Sequence, residues 1–111
     1  MIFIGVEADI AGLTNPTLKA KVGVTVSITL TSTEGIEHDI AIHDFNAKSR
    51  PVSGASNSVT VSFVVDKPGT FPYFCSVPGH REAGMEGNIY VIGGAASIPE
   101  LQITVRSLRL P

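Results

Sequence analysis

The stretch Leu18-Lys-Ala-Lys-Val-Gly-Val-Thr-Val-Ser-Ile-Thr-Leu30 decides the fold class of this 111-residue chain. Apolar residues occupy every second position on both sides of Gly23, and lysine, threonine or serine fills the positions between them. Side chains of a β-strand point alternately to opposite faces, so this period of two predicts two half-buried strands separated by a turn. The twelve valines and eleven isoleucines of the chain favour strands as well.

The same alternation recurs along the chain, and turn-forming stretches such as Asn15-Pro16 and Lys67-Pro-Gly69 separate the runs. No long segment has the spacing of an amphipathic helix. Seven short strands with frequent turns predict an all-β Greek-key sandwich, with a small barrel as the alternative. The predicted strands are Ile2 to Ala8, Leu18 to Val22, Val24 to Leu30, His38 to His43, Val59 to Val65, Phe71 to Cys75, and Asn88 to Ile92.

The domain organisation follows from the length and from the last part of the chain. A chain of 111 residues suits one domain, which we expect over residues 1–94. Residues 95–111 are expected to be a linker and an extra strand, because Leu101-Gln-Ile-Thr-Val-Arg106 alternates again after a glycine- and alanine-rich stretch. This tail is expected to add an edge strand, to pack between subunits, or to begin a following domain.

Composition excludes two classes of partner. The net charge is −2 and the eight Lys and Arg residues are scattered, whereas a nucleic-acid surface needs clustered cations. No stretch approaches the roughly 20 apolar residues of a membrane-spanning helix. The N-terminus also lacks the features of a signal peptide, so a mature or excised domain is expected.

The loop Cys75-Ser-Val-Pro-Gly-His80-Arg-Glu-Ala-Gly-Met85 carries the clearest chemical signal in the chain. It brings together a thiolate, an imidazole and a thioether. Four residues separate Cys75 from His80, and four more separate His80 from Met85. Soft sulfur ligands select copper over hard divalent ions, and two His and one Cys with a weak axial Met form a blue-copper site. The loop therefore predicts a type 1 copper site that lacks one His.

His38 is the predicted fourth ligand. It begins a predicted strand and shares its inward-facing parity with Ile40 and Ile42. A buried histidine needs a partner, and copper supplies one. His43 has the opposite parity, so we expect it to face solvent.

The quoted loop, together with Asn15-Pro-Thr-Leu18, Glu37-His-Asp39 and Lys67-Pro-Gly-Thr-Phe71, resembles the cupredoxin family, and most closely the cupredoxin domain fused to copper-containing nitrite reductases. This resemblance implies that His38, Cys75 and His80 are equatorial ligands of one type 1 copper and that Met85 is the axial ligand. It also implies that Asp39 and Ser76 tie the two ligand segments together, and that the protein is periplasmic or otherwise exported.

The resemblance implies electron transfer, with copper cycling between Cu(I) and Cu(II) to or within a nitrite reductase-like enzyme. In the catalytic domains of such enzymes, a second His five residues after the first copper His helps to bind another copper, and His43 has that spacing. Those domains also have a His immediately before the ligand Cys, where this chain has Phe74, so we expect no catalytic residues in the isolated domain. A redox partner is expected to dock near His80, beside Val77 and Ala83. Alternatives are an electron-entry module of a multicopper oxidase, a copper storage or delivery protein and, more remotely, a cysteine hydrolase.

Overall fold

The computed structural model describes residues 1–93 and 103–110. Within these residues the chain forms nine β-strands and two short 3₁₀ helices, Ala8–Ile10 and His43–Phe45. The strands are β1 (Ile4–Gly5), β2 (Leu18–Lys21), β3 (Thr25–Thr31), β4 (Ala41–Ile42), β5 (Ala47–Lys48), β6 (Ser58–Val64), β7 (Gly69–Phe74), β8 (Glu86–Ile92) and β9 (Ile103–Arg109).

The strands form two sheets that pack face to face around one core. The first sheet has the order β1-β9-β3-β6, and the second has the order β2-β8-β7-β4-β5. The pairs β2/β8 and β3/β9 are parallel, and the other pairs are antiparallel. The all-β sandwich predicted from the sequence is confirmed.

Strand β3 shows why the alternating residues form this architecture. Val26, Ile28 and Leu30 are buried and point into the core, and the Thr and Ser residues between them point outward. Burial of one such aliphatic side chain contributes about 1.5 to 3 kcal/mol. On the outer face, hydroxyls pair across to β6, as in the 2.9 Å contact between Thr29 and Thr60.

Two predicted strands are shorter than the sequence suggested. The run Ile2 to Ala8 keeps only β1, because Ala8 takes a positive φ of 55° and starts the first 3₁₀ helix. The run His38 to His43 keeps only β4, and Asp39 is as buried as its neighbours. Both faces of this segment meet protein, so its alternation does not mark a solvent face.

The end of the chain contributes an interior strand. Strand β9 pairs parallel with β3 and antiparallel with β1, so it lies between them in the first sheet. The expected domain boundary after residue 94 falls among residues 94–102, outside the described part of the chain, and stays a prediction. Among the described residues, no helix has the length and apolar character needed to cross a membrane.

Candidate metal centre

The second sheet holds Cys75 at the end of β7. Its side chain is fully buried, and its backbone N–H donates to the Met85 carbonyl at 3.2 Å. Two residues earlier, Tyr73 is also fully buried, and its hydroxyl donates to the Pro16 carbonyl at 2.7 Å. The strand end that carries the thiol is therefore held by both main-chain and side-chain hydrogen bonds.

The loop after Cys75 folds back on itself. The His80 N–H donates to the Val77 carbonyl at 3.0 Å, and the Met85 N–H donates to the His80 carbonyl at 3.2 Å. Gly84 has a φ of 113°, which lies outside the range most other residues adopt. These contacts return Met85 to the start of the loop, where its side chain is fully buried.

His38 reaches the site from the segment that precedes β4, the strand that pairs with β7 in the second sheet. It lies in an isolated bridge with Val52, in which its N–H donates at 3.0 Å and its carbonyl accepts at 2.8 Å. Its side chain is 4% exposed, in agreement with the inward parity predicted from the sequence. His43 is exposed, as predicted, although it lies in the second 3₁₀ helix and not in a strand.

Three potential metal-ligand atoms, one each from His38, Cys75 and His80, lie close together. The Cys75 Sγ lies 3.8 Å from the His38 Nδ1 and 3.4 Å from the His80 Nδ1, and the two nitrogens are 3.2 Å apart. The described residues contain one such cluster of metal-binding side chains, formed by these three residues. The cluster joins His38 to a loop that begins 37 residues later in the chain.

The size of this triangle fits a metal ion. A point in the plane of the three atoms and equidistant from them lies about 2.0 Å from each, and proteins bind metals through nitrogen and sulfur at about 2.0 to 2.3 Å. Two imidazoles and one thiol are a donor set suited to copper. The fully buried thioether of Met85, on the same loop, completes the expected set.

Burial acts in opposite directions on the metal-binding forms of His38 and Cys75. Burial lowers the pKa of His38, and the charge of His80 acts in the same direction, so the His38 imidazole is held neutral with a lone pair free to bind. Burial raises the pKa of the Cys75 thiol, against the effect of the backbone N–H groups of Asp39 and Val77. A metal that binds the thiolate therefore has to displace its proton.

Asp39 joins the two segments that carry the cluster. Its Oδ1 accepts the Ser76 backbone N–H at 2.6 Å, its Oδ2 accepts the Ser76 hydroxyl at 2.6 Å, and its own N–H donates to the Cys75 Sγ at 3.5 Å. This is the tie that the resemblance implied. Such contacts orient metal ligands and tune the metal that they hold.

His43 lies apart from the cluster. Its ring packs edge-on against Phe74 with 4.7 Å between centroids, and the Arg81 guanidinium lies 3.9 Å from the same Phe74 ring. His43 is not part of the metal-binding cluster found among the described residues.

The sequence matches the model of the family described as copper binding proteins, plastocyanin/azurin family, over residues 5–92. Because this match spans most of the chain, the chain belongs to that family, whose members are cupredoxins. A search among curated proteins found no significant match.

Solved structures of small copper proteins share the fold. Auracyanin B is 21% identical with a TM-score of 0.60, over 68% of this chain and 76% of its own. A dithionite-reduced auracyanin from Roseiflexus castenholzii is 21% identical with a TM-score of 0.56, over 68% of this chain and 83% of its own. Rusticyanin from Thiobacillus ferrooxidans is 26% identical with a TM-score of 0.52, over 76% of this chain and 66% of its own.

Family and donor set together identify the cofactor as one type 1 copper and the protein as a cupredoxin-like electron-transfer protein. The structural neighbours named above are auracyanins and a rusticyanin. They support the cupredoxin part of the predicted resemblance, and none of the three is a nitrite reductase fusion.

Sequence reasoning missed the side chains that brace the site from outside the loop. Tyr73 was noted only as part of a strand, and Asn15 only as part of a turn and of the family resemblance. Asn15 donates from Nδ2 to the Gly84 carbonyl at 2.8 Å, across 69 residues of sequence. No local sequence pattern predicted its positive φ of 44°.

Proposed function

We propose that His38, Cys75 and His80 are the three strong copper ligands, that Met85 is the weak axial ligand, and that the protein is a one-electron carrier. The observation that carries this proposal is the triangle of two Nδ1 atoms and one Sγ, with sides of 3.2 to 3.8 Å. Copper, when bound, supplies a couple between Cu(I) and Cu(II).

The protein's part in this function is to hold the ligands still. Cys75 and Met85 are joined by a main-chain hydrogen bond, and both the N–H and the carbonyl of His38 are hydrogen-bonded to Val52. The Asp39 contacts to Ser76 connect the two segments. Ligands held in this way move little when the charge of the metal changes, and a small rearrangement permits fast electron transfer.

His80 is the proposed route for the electron to and from the surface. His38, Cys75 and Met85 are buried, whereas His80 is partly exposed. Its loop neighbour Val77 is partly exposed and apolar, and Pro78 and Ala83 on the same loop are exposed. A small apolar surface around a partly exposed ligand suits brief docking of a redox partner.

Copper binding gives the direct test of the proposed ligands. Cu(II) is added to the purified protein, and its visible and EPR spectra are recorded beside those of Cys75→Ser. The wild type is expected to bind one copper with intense thiolate-to-copper absorption, and the variant is expected to lack that absorption. A colourless wild-type complex would refute the type 1 site.

Electron self-exchange between oxidised and reduced copies tests the docking surface without a known partner. Val77→Asp is expected to slow self-exchange by about tenfold or more, because it places like charges at the contact. Its visible spectrum is expected to stay unchanged. Thr60→Asp, on the exposed outer face of the first sheet, is the matched control and is expected to keep the wild-type rate. Equal rates in both variants would remove this surface from the proposal.

A narrower proposal concerns the partner, which we take to be a copper nitrite reductase-like enzyme. Its support is the similarity of the loop sequence to the domains fused to those enzymes. The isolated protein is then expected to reduce no nitrite and to deliver electrons to such an enzyme. We place this exchange in the periplasm or another exported location, which fractionation of the source cells tests.

Copper storage or delivery is the competing function, because Met, His and Cys also serve it. Repeated oxidation and reduction with copper retained supports the electron carrier. Loss of copper to a chelator in each reduced cycle would support storage or delivery instead.

A further inference from the structure

Asn15 is held in a backbone conformation that few residues other than glycine adopt. Its φ is 44°, and asparagine is among the residues that tolerate this left-handed region best. Its N–H donates to the Phe3 carbonyl at 2.6 Å, and its Oδ1 accepts the Phe3 N–H at 2.8 Å. These two hydrogen bonds leave the side-chain amide free to donate elsewhere.

The amide donates to the loop beside the axial ligand. Asn15 Nδ2 lies 2.8 Å from the Gly84 carbonyl, which also accepts the Glu86 N–H at 2.9 Å. This carbonyl belongs to the peptide group that links Gly84 to Met85. A Cβ at Gly84 would lie 3.2 Å from the Met1 carbonyl, so the N-terminal segment lies directly over this peptide.

The main-chain hydrogen bonds of Met85 itself come from the loop and its flanking strand end. Its N–H donates to the His80 carbonyl, and its carbonyl accepts the Cys75 N–H, each at 3.2 Å. These hydrogen bonds connect Met85 to residues that are themselves proposed ligands. They therefore do not anchor the loop to the rest of the protein. The Asn15 amide reaches the same peptide from a segment outside the loop.

The residue after Asn15 braces the thiol side of the same loop. The Pro16 carbonyl accepts the Tyr73 hydroxyl at 2.7 Å, and the Tyr73 ring packs edge-on against Phe3 with 5.3 Å between centroids. Tyr73 lies two residues before Cys75 and is fully buried. Asn15 and Pro16 therefore touch both ends of the loop that carries Cys75, His80 and Met85.

We propose that Asn15 is a positioning residue that fixes the Gly84–Met85 peptide and thereby the placement of the axial thioether. The inference rests on the proposed function of Met85 as the axial ligand. A weak axial bond does not pull the ligand into place, so its length depends on where the main chain holds Met85. The axial ligand of such a site tunes its reduction potential. Asn15 then influences the copper without touching it.

Two substitutions separate this role from simple support of the N-terminal segment. Asn15→Asp keeps an oxygen acceptor for the Phe3 N–H and tolerates the positive φ, but it loses the donor to the Gly84 carbonyl. Asn15→Gly relieves the backbone strain and removes both side-chain hydrogen bonds without adding charge. Asn46 has a similar φ of 53° and is exposed, so Asn46→Asp and Asn46→Gly are matched controls.

The measurements are made on copper-loaded and copper-free protein. Both Asn15 variants are expected to alter the EPR spectrum and the relative intensities of the visible bands, which report ligand geometry rather than added charge. Asn15→Gly is expected to change the Cu(I)/Cu(II) ratio at fixed potential by about threefold or more, equivalent to about 28 mV for one electron. In the copper-free protein, exchange of the Met85 amide is expected to accelerate by about threefold or more.

The outcomes distinguish this inference from the proposed function. A type 1 spectrum in the wild type, with unchanged spectra in both Asn15 variants, would overturn the positioning role and leave the proposed ligands standing. A wild type without that spectrum would remove both. If Asn15→Gly does not fold, Asn15→Asp alone decides, and spectra that change equally in the Asn46 variants would also count against Asn15.

Discussion

Replacement of Asp39 by alanine is the sharpest test of how the site is held together. The carboxylate is 2% exposed and accepts two hydrogen bonds of 2.6 Å, from the N–H and the hydroxyl of Ser76. Alanine removes both acceptors and leaves the Ser76 N–H without its partner. The substitution also cuts the side-chain link between the His38 segment and the Cys75 loop.

The magnitude follows from these two bonds. A hydrogen bond to a charged group contributes about 1.5 to 3 kcal/mol, so two contribute about 3 to 6 kcal/mol. Removal of the buried charge also removes its desolvation cost, which offsets part of this loss. We expect Asp39→Ala to lower the free energy of unfolding of the copper-free protein by about 3 kcal/mol.

Asp39→Asn is the matched control for that experiment. The asparagine carbonyl can accept the Ser76 N–H and its amide can donate to the Ser76 oxygen, so the loss of stability is expected to stay below about 1 kcal/mol. Urea unfolding followed by circular dichroism measures both variants. An Asp39→Ala protein within about 1 kcal/mol of the wild type would refute the reasoning.

The Asp39→Asn variant is also expected to change the reduction potential of the copper site. Burial is the largest influence on the pKa of both His38 and Cys75, and the charge of Asp39 raises the pKa of each. A negative charge that acts on both favours Cu(II) over Cu(I), so Asp39→Asn is expected to raise the reduction potential. A potentiometric titration that shows a lower potential would contradict this.

Three further predictions concern the support around the site. A Cβ at Gly87 would overlap the buried Tyr73 ring, so Gly87→Ala is expected to cost about 2 kcal/mol or more in urea unfolding, whereas Gly35→Ala, which meets open space, is expected to be nearly neutral. Tyr73→Phe loses a buried hydrogen bond to a main-chain carbonyl and is expected to cost about 1 to 2 kcal/mol, and a thermal midpoint equal to that of the wild type would disprove it. The pKa of His38 lies below its ordinary 6.5 in the folded copper-free protein, so as pH falls the unfolded chain takes up a proton at His38 before the folded chain does. The pKa of Cys75 lies above its ordinary 9.0, so as pH rises the unfolded chain loses a proton at Cys75 before the folded chain does. Its stability is therefore expected to fall below pH 6.5 and above pH 9.0. Urea midpoints that stay constant below pH 6.5 and above pH 9.0 would contradict this prediction.

Local patterns predicted much of the fold. The alternation in β3 marked Val26, Ile28 and Leu30 as inward-facing, because successive side chains of a strand face opposite sides whatever the rest of the chain does. The pattern failed at Asp39, which has outward parity but is buried, because protein covers both faces of that segment. The place of β9 between β1 and β3 was likewise hidden, because strand order depends on pairings between distant segments.

The sequence by itself determined the chemistry of this protein. The spacing of Cys75, His80 and Met85 on one loop names a copper ligand set, because the selectivity of a metal follows from the kinds of atoms offered to it. Only the tertiary structure decided how those atoms are held. His38 is set by its bridge to Val52, and the Gly84 carbonyl beside Met85 by Asn15, 69 residues away in the chain. Hydrogen bonds between segments so far apart form only when the sandwich closes, so no local pattern encodes them.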